Sequence, residues 1–196
     1  MNDDASGRAI SAAMFAEVEP LFRGRGVAIE IGCGVGHVLL GHAQTFERLR
    51  GVDPRPELLA VLEQRAADAG ISSVRGFLPT QPWNEPTGSA DYAYSLRAFR
   101  HIEDPLALAN YLQGMSSVLR RGGIVQLAFD TRPGGVLYRA AAHLPQRLLA
   151  PKHRRGQRTV RHTEDWIRDR FRGADLQLIG ERQAGSTEHW FIARRR

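Results

Sequence analysis

The chain has 196 residues, 42% of them hydrophobic and 24% charged, a composition that fits one folded globular domain over 1–196 and excludes a disordered chain. Its formal net charge is +6, carried almost wholly by arginine, and its one cysteine, Cys33, excludes an internal disulfide and a multi-thiolate metal site. No apolar run approaches the ~20 residues of a membrane span, and the acidic start "MNDDASGRAI" is unlike a signal or transit peptide, so a cytoplasmic location without membrane contact is expected.

Ile10, Met14, Phe15, Val18, Leu21 and Phe22 recur at helical spacing and predict a short leading helix over 6–22, closed by Pro20 and "RGRG". "VAIEIG" (27–32) reads as a buried strand and "VLLGHAQTF" (38–46) as the helix onto which the glycines open. A strand over 48–53 ends at Asp53, a helix follows over 56–70, and "SSVRGF" gives a third strand. The loop "LPTQPWNEPTGS" leads to a strand over 90–99, a helix over 103–120 and a strand over 123–130 that is apolar almost throughout, as a parallel strand covered on both faces should be. This alternation with short links predicts a doubly wound, mostly parallel sheet. The stretch 131–162 breaks the rhythm and is strongly basic. A helix with Thr163 as N-cap and a closing antiparallel hairpin over 175–196 complete the chain.

A strand, a glycine-rich turn and a helix in that order suit a nucleoside, because bare backbone lets a ligand approach closely. Asp53 ends the next strand, where an acid accepts hydrogen bonds from ribose hydroxyls. The glycines stand at Gly32, Gly34 and Gly36, and His37 occupies a place where a dinucleotide fingerprint needs glycine. Glu30, just before the turn, would repel a pyrophosphate and suits a ligand that carries positive charge. These features converge on S-adenosylmethionine, whose ammonium and sulfonium groups replace the diphosphate.

In "EIGCGVG", in "GVDPRPELL", in the block "ADYAYSLRAFRHIEDPLALANYLQGMSSVLRRGGIVQLAF" and in the terminal "WIRDRFRGADLQLIGERQAGSTEHWFIARR", the chain resembles the class I S-adenosylmethionine-dependent methyltransferase family, in its small-molecule branch. The resemblance implies a Rossmann-like, seven-stranded sheet with an antiparallel last strand, with 27–130 as cofactor core, 131–162 as substrate-side link and 163–196 as closing helix and hairpin. It implies that Glu30, Gly32, Cys33, Gly34 and Gly36 lie along the methionine part of the cofactor and that Asp53, with Pro54, holds the ribose. Phe77 and Leu78 match the adenine segment, while Ser95 and Leu96 match the end of the fourth strand. Two departures stand out: Phe77 replaces an acid, so stacking replaces a hydrogen bond to the adenine, and Arg100–His101 replaces a histidine pair.

His101 is expected to act as general base where the acceptor is a hydroxyl or carbon acid. Arg97, Arg100, Arg154 and Arg155 are expected to anchor an acidic small molecule or a carrier-tethered metabolite, since guanidinium forks pair with carboxylate and phosphate oxygens. His37, His143, His153 and His162 read as surface or packing residues. RNA would use the same arginines, but "SLRAF" lacks an Asn-Pro-Pro-Tyr type tetrapeptide and there is no cysteine placed for pyrimidine chemistry, so an RNA or protein methyltransferase is the alternative and nucleic acid is not the expected partner. A cofactor-binding regulatory module without turnover is the alternative of another class. With one leading helix only, closure over the substrate falls to that helix, to the basic link or to a partner chain in a homodimer.

Overall fold

The computed structural model describes residues 2–79, 85–134 and 159–196. Its strands are β1 (Val27–Ile31), β2 (Arg48–Val52), β3 (Val74–Phe77), β4 (Ala90–Ser95), β5 (Leu119–Phe129), β6 (Leu176–Arg182) and β7 (His189–Arg195). They form one seven-stranded sheet in the order β3-β2-β1-β4-β5-β7-β6. β1 to β5 pair in parallel, and β7 is antiparallel to both β5 and β6, so the reversed strand expected at the end of the chain is there.

The helices are α1 (Asn2–Val18), α2 (Pro56–Asp68), α3 (Pro105–Val118) and α4 (Glu164–Gly173). Side chains alternate across a strand, so Val27, Ile29 and Ile31 join the core under α3 and α4, while Ala28, Tyr92 and Tyr94 join the core under α1 and α2. Both faces are thus covered, which is why β1 and β4 are buried at every position. Local signals set the helix starts. Asp104 accepts the Leu106 N–H at 2.9 Å, with Pro105 in the first turn of α3, and Thr163 accepts the Trp166 N–H at the start of α4.

The helix expected over 38–46 is reduced to one 3₁₀ turn, Leu39–His42. α1 takes the space: a Cβ at Gly41 would stand 2.8 Å from the Ser11 side chain. Ser11 also meets the buried His42 ring at 3.1 Å, and Phe15 and Phe46 pack edge-on at 5.8 Å beside it. Docking of α1 therefore overrides the apolar spacing of "VLLGHAQTF".

The strand order reverses at β1, with β2 on one side and β4 on the other. At such a switch point the loops leaving the two carboxyl ends diverge and open a crevice.

Candidate active site

The crevice consists of two clefts that meet. The larger, about 620 Å³, is lined by Ile31, Gly32, Val52, Asp53, Pro54, Arg55, Arg97, Ala98, His101, Ile102 and Tyr111. The smaller, about 350 Å³, lies under Gly7 and Ile10 of α1 and is lined further by Glu30, Gly32, Cys33, His37, Val38, Leu96 and Arg97. Among the described residues, only Gly32 and Arg97 belong to both.

The glycine turn is folded back on β2. The N–H groups of Gly32 and Cys33 donate to the Val52 carbonyl at 2.7 and 3.2 Å, and the Gly36 N–H donates to the Cys33 carbonyl at 2.9 Å. Gly32 has φ +75°, and a Cβ there would stand 2.5 Å from the Ala98 Cβ, so the turn after β1 and the turn after β4 touch through a bare backbone. With no α-helix behind the glycines, the turn holds its shape through these bonds rather than through a helix N-terminus.

Asp53 is buried and fixed: the Gly34 N–H donates to Oδ2 at 3.1 Å, and the Arg55 N–H and Nε–H donate to Oδ1 at 3.0 and 3.2 Å. A carboxylate has about four acceptor sites, so it retains capacity toward the larger cleft. Glu30 is also buried, but among the described residues it has no cationic partner; the Tyr94 hydroxyl donates to Oε2 at 3.2 Å and the Leu39 N–H donates as well. Burial pushes its carboxyl up to about 8, against the hydrogen bonds that lower it, so at neutral pH its surroundings favour the protonated form. Burial, and then the Glu30 and Asp53 carboxylates, push the Cys33 thiol up as well, which makes it a packing group and not a nucleophile.

Residues 28–123 match the sequence profile of a methyltransferase domain. The chain carries an S-adenosylmethionine-dependent methyltransferase domain over these residues. No curated protein matches it in sequence. Solved structures share the methyltransferase fold at low identity. A methyltransferase from Methanosarcina mazei is 15% identical with a TM-score of 0.72, over 91% of this chain and 96% of that one. Magnesium protoporphyrin IX methyltransferase from Synechocystis, solved with S-adenosylhomocysteine, is 17% identical with a TM-score of 0.69, over 100% and 86%. Geranyl diphosphate C-methyltransferase from Streptomyces coelicolor is 13% identical with a TM-score of 0.71, over 94% and 77%. No helix among the described residues of this methyltransferase is long and apolar enough to cross a membrane.

Of the residues expected at the site, Glu30, Gly32, Cys33, Asp53, Pro54, Leu96, Arg97 and His101 line the two clefts. Gly34 and Gly36 do not; they shape the turn, Gly34 by bonding Asp53 and Gly36 by leaving room for Leu62, whose Cδ1 would lie 2.2 Å from a Cβ. Ser95 does not line either described cleft: it is fully buried, donates to the Ile31 carbonyl at 2.8 Å and accepts the Ala98 N–H at 3.3 Å. Phe77 and Leu78 stay off both walls. Phe77 packs on the α3 side of the core with the Arg50 guanidinium 6.0 Å from its ring, and Leu78 packs on the α1 side. Arg100 is turned away, its guanidinium on Glu188 at 3.5 Å and its carbonyl accepting the Val160 N–H at 2.7 Å. Arg154 and Arg155, with His143 and His153, lie outside the described residues.

Sequence reasoning missed Arg55, Ile102, Tyr111 and the α1 residues Gly7 and Ile10, and it set His37 aside as a surface or packing residue. Arg55 was legible as the second residue after the acid. The others reach the clefts through packing between distant elements; a Cβ at Gly7, for example, would stand 2.3 Å from the His37 carbonyl oxygen.

Proposed function

We propose that this methyltransferase transfers the methyl group of S-adenosylmethionine to a small, acidic acceptor, free or tethered to a carrier. The observation that carries this reading is the distribution of charge: both carboxyls, Glu30 and Asp53, lie buried on the floor, whereas Arg97 and His101 lie on the walls toward solvent. The residues fit the cofactor. Asp53 has acceptor capacity left on Oδ2 for a ribose hydroxyl, and Glu30 is a buried carboxyl in want of a cation, which the methionine ammonium supplies. When bound, the cofactor supplies an electrophilic methyl on sulfur, and the protein's part is to align the acceptor behind that carbon and to keep water out.

Arg97 anchors the acceptor's acid group at the wall, and His101 takes the proton where the acceptor is a hydroxyl or carbon acid. A carboxylate or free amine acceptor needs no such base. Two neighbours are named for small acceptors, one of them a diphosphate, which agrees with this reading.

The test is release of S-adenosylhomocysteine over a panel of aromatic and aliphatic carboxylates, phosphate esters, hydroxy acids, total RNA and a peptide mixture. Turnover is expected with an anionic small molecule and its loss in Arg97→Ala. Turnover with RNA or peptides alone, or with neutral small molecules at undiminished rate in Arg97→Ala, would overturn the proposal.

A further inference from the structure

We propose that Arg97 makes acceptor and donor bind synergistically: its guanidinium stands beside the cofactor's sulfonium, weakening the charged donor in the empty enzyme until an anionic acceptor neutralises it. The inference rests on the site reading given above and deepens it from a substrate class to an order of occupation.

The connectivity of the ligand and the shape of the crevice carry the argument together. The ribose belongs with Asp53 in the larger cleft and the ammonium with Glu30 in the smaller one. The sulfur joins the two ends, so it must sit where the clefts join. Among the described residues, Gly32 and Arg97 alone line both. Gly32 offers bare backbone, closed on its side-chain face by Ala98 at 2.5 Å from a would-be Cβ. The bridging atoms therefore pass over the Gly32 backbone and face Arg97.

Arg97 also differs from its neighbours in being uncompensated. Arg55 is bonded to Asp53 at 3.2 Å and Arg100 is turned toward Glu188 at 3.5 Å. Arg97 is exposed, two positions after β4, and among the described residues it has no ion pair or hydrogen bond. Of the charged groups on the cleft walls, Asp53 is matched by Arg55 and Glu30 is buried, which leaves the Arg97 charge facing the junction. A sulfonium placed there meets a like charge; S-adenosylhomocysteine, with a neutral sulfur, does not. An acid group lodged between them attracts both, and by reciprocity the acceptor tightens the donor by the factor with which the donor tightens the acceptor.

Two unit charges ~7 Å apart in a half-solvated cleft alter affinity by about three- to tenfold. Isothermal titration of S-adenosylmethionine and S-adenosylhomocysteine into wild type, Arg97→Gln and Arg97→Lys reads this directly. The ratio of the donor's Kd to the product's Kd is expected to fall by about three- to tenfold in Arg97→Gln and to stay near wild type in Arg97→Lys, which keeps the charge. Benzoate at constant ionic strength should tighten the donor relative to the product in wild type and not in Arg97→Gln, whereas neutral benzamide should act on neither. An unchanged ratio in Arg97→Gln, an equal change in Arg97→Lys, or equal action of benzoate and benzamide would overturn the synergy while leaving the site reading intact. Failure of wild type to bind either ligand would remove the site reading and the synergy with it.

Discussion

Replacing Gly32 by alanine tests whether the two turns of the crevice meet through bare backbone. At φ +75° a side chain costs about 1–2 kcal/mol, because Cβ crowds the following carbonyl. The new methyl would stand 2.5 Å from the Ala98 Cβ, an overlap that the packed turn relieves only by shifting, at about 1–3 kcal/mol. Gly32→Ala should therefore destabilise the protein by about 2–5 kcal/mol in urea unfolding followed by circular dichroism. The two contributions separate. Ala98→Gly removes the steric partner but not the backbone strain, so the double variant should recover about 1–3 kcal/mol relative to the sum of the single variants. A coupling below about 0.5 kcal/mol, or a loss below about 1 kcal/mol in Gly32→Ala, would rule out the bare-backbone contact between the two turns.

Asp53→Asn keeps an acceptor for the Gly34 N–H but loses charge toward the ribose; calorimetry should show S-adenosylhomocysteine binding weakened by about tenfold or more, and an unchanged Kd would remove Asp53 from that role. Glu30 has its carboxyl raised to about 8 from 4.5, so the folded state holds the proton more tightly than the unfolded chain, and stability falls as pH rises from about 4.5 to about 8. Glu30→Gln should thus raise the thermal midpoint most at pH 8–9, by the equivalent of up to about 4 kcal/mol, and should weaken S-adenosylhomocysteine binding. A lower midpoint at that pH would contradict this. In wild type, cofactor binding near pH 7 should release a proton, read as a dependence of binding enthalpy on the buffer's ionisation enthalpy that Glu30→Gln abolishes. His42 has its imidazole lowered by burial to about 4 from 6.5, so the unfolded chain binds the proton first and stability rises with pH between about 4 and 6.5. Relative to His42→Gln, wild type should gain about 3 kcal/mol across that window in urea unfolding, and parallel profiles would refute it.

The parts of the molecule legible in the sequence are those whose signals are local. "VAIEIG" is apolar on both faces because helices cover both faces of β1, and Asp53 and the glycine turn stand on adjacent strands in register, Ile31 opposite Val52. The parts not legible depend on partners far along the chain. "VLLGHAQTF" has helical spacing, yet α1 closes on Gly41 and His42 and leaves one 3₁₀ turn. Arg97 and Arg100 are indistinguishable by type and are three positions apart. Arg100 lies within the 3₁₀ turn Phe99–His101 that begins two positions after Arg97, and Glu188, 88 positions further on, bonds its guanidinium. Tyr111 reaches the larger cleft from α3, where its place in the sequence marks it only as the neighbour of the buried Leu112.

The two acids of the floor are prepared differently, and the difference follows from their surroundings. Asp53 is held in place by the Gly34 N–H and the Arg55 side chain, so a ribose bound as proposed would meet an acceptor already oriented. Glu30 has hydroxyl and amide donors but no cation among the described residues, so its charge develops with the ligand that brings one. A buried carboxyl without a cationic partner lowers the stability of the protein, and replacement by an amide would relieve that. A ligand with a positive charge at that end would give Glu30 the cationic partner it lacks among the described residues. On the proposed reading, the floor would bind a nucleoside at one end through fixed geometry and an ammonium at the other through induced ionisation, which leaves Arg97, lining both clefts, to act on the group between them.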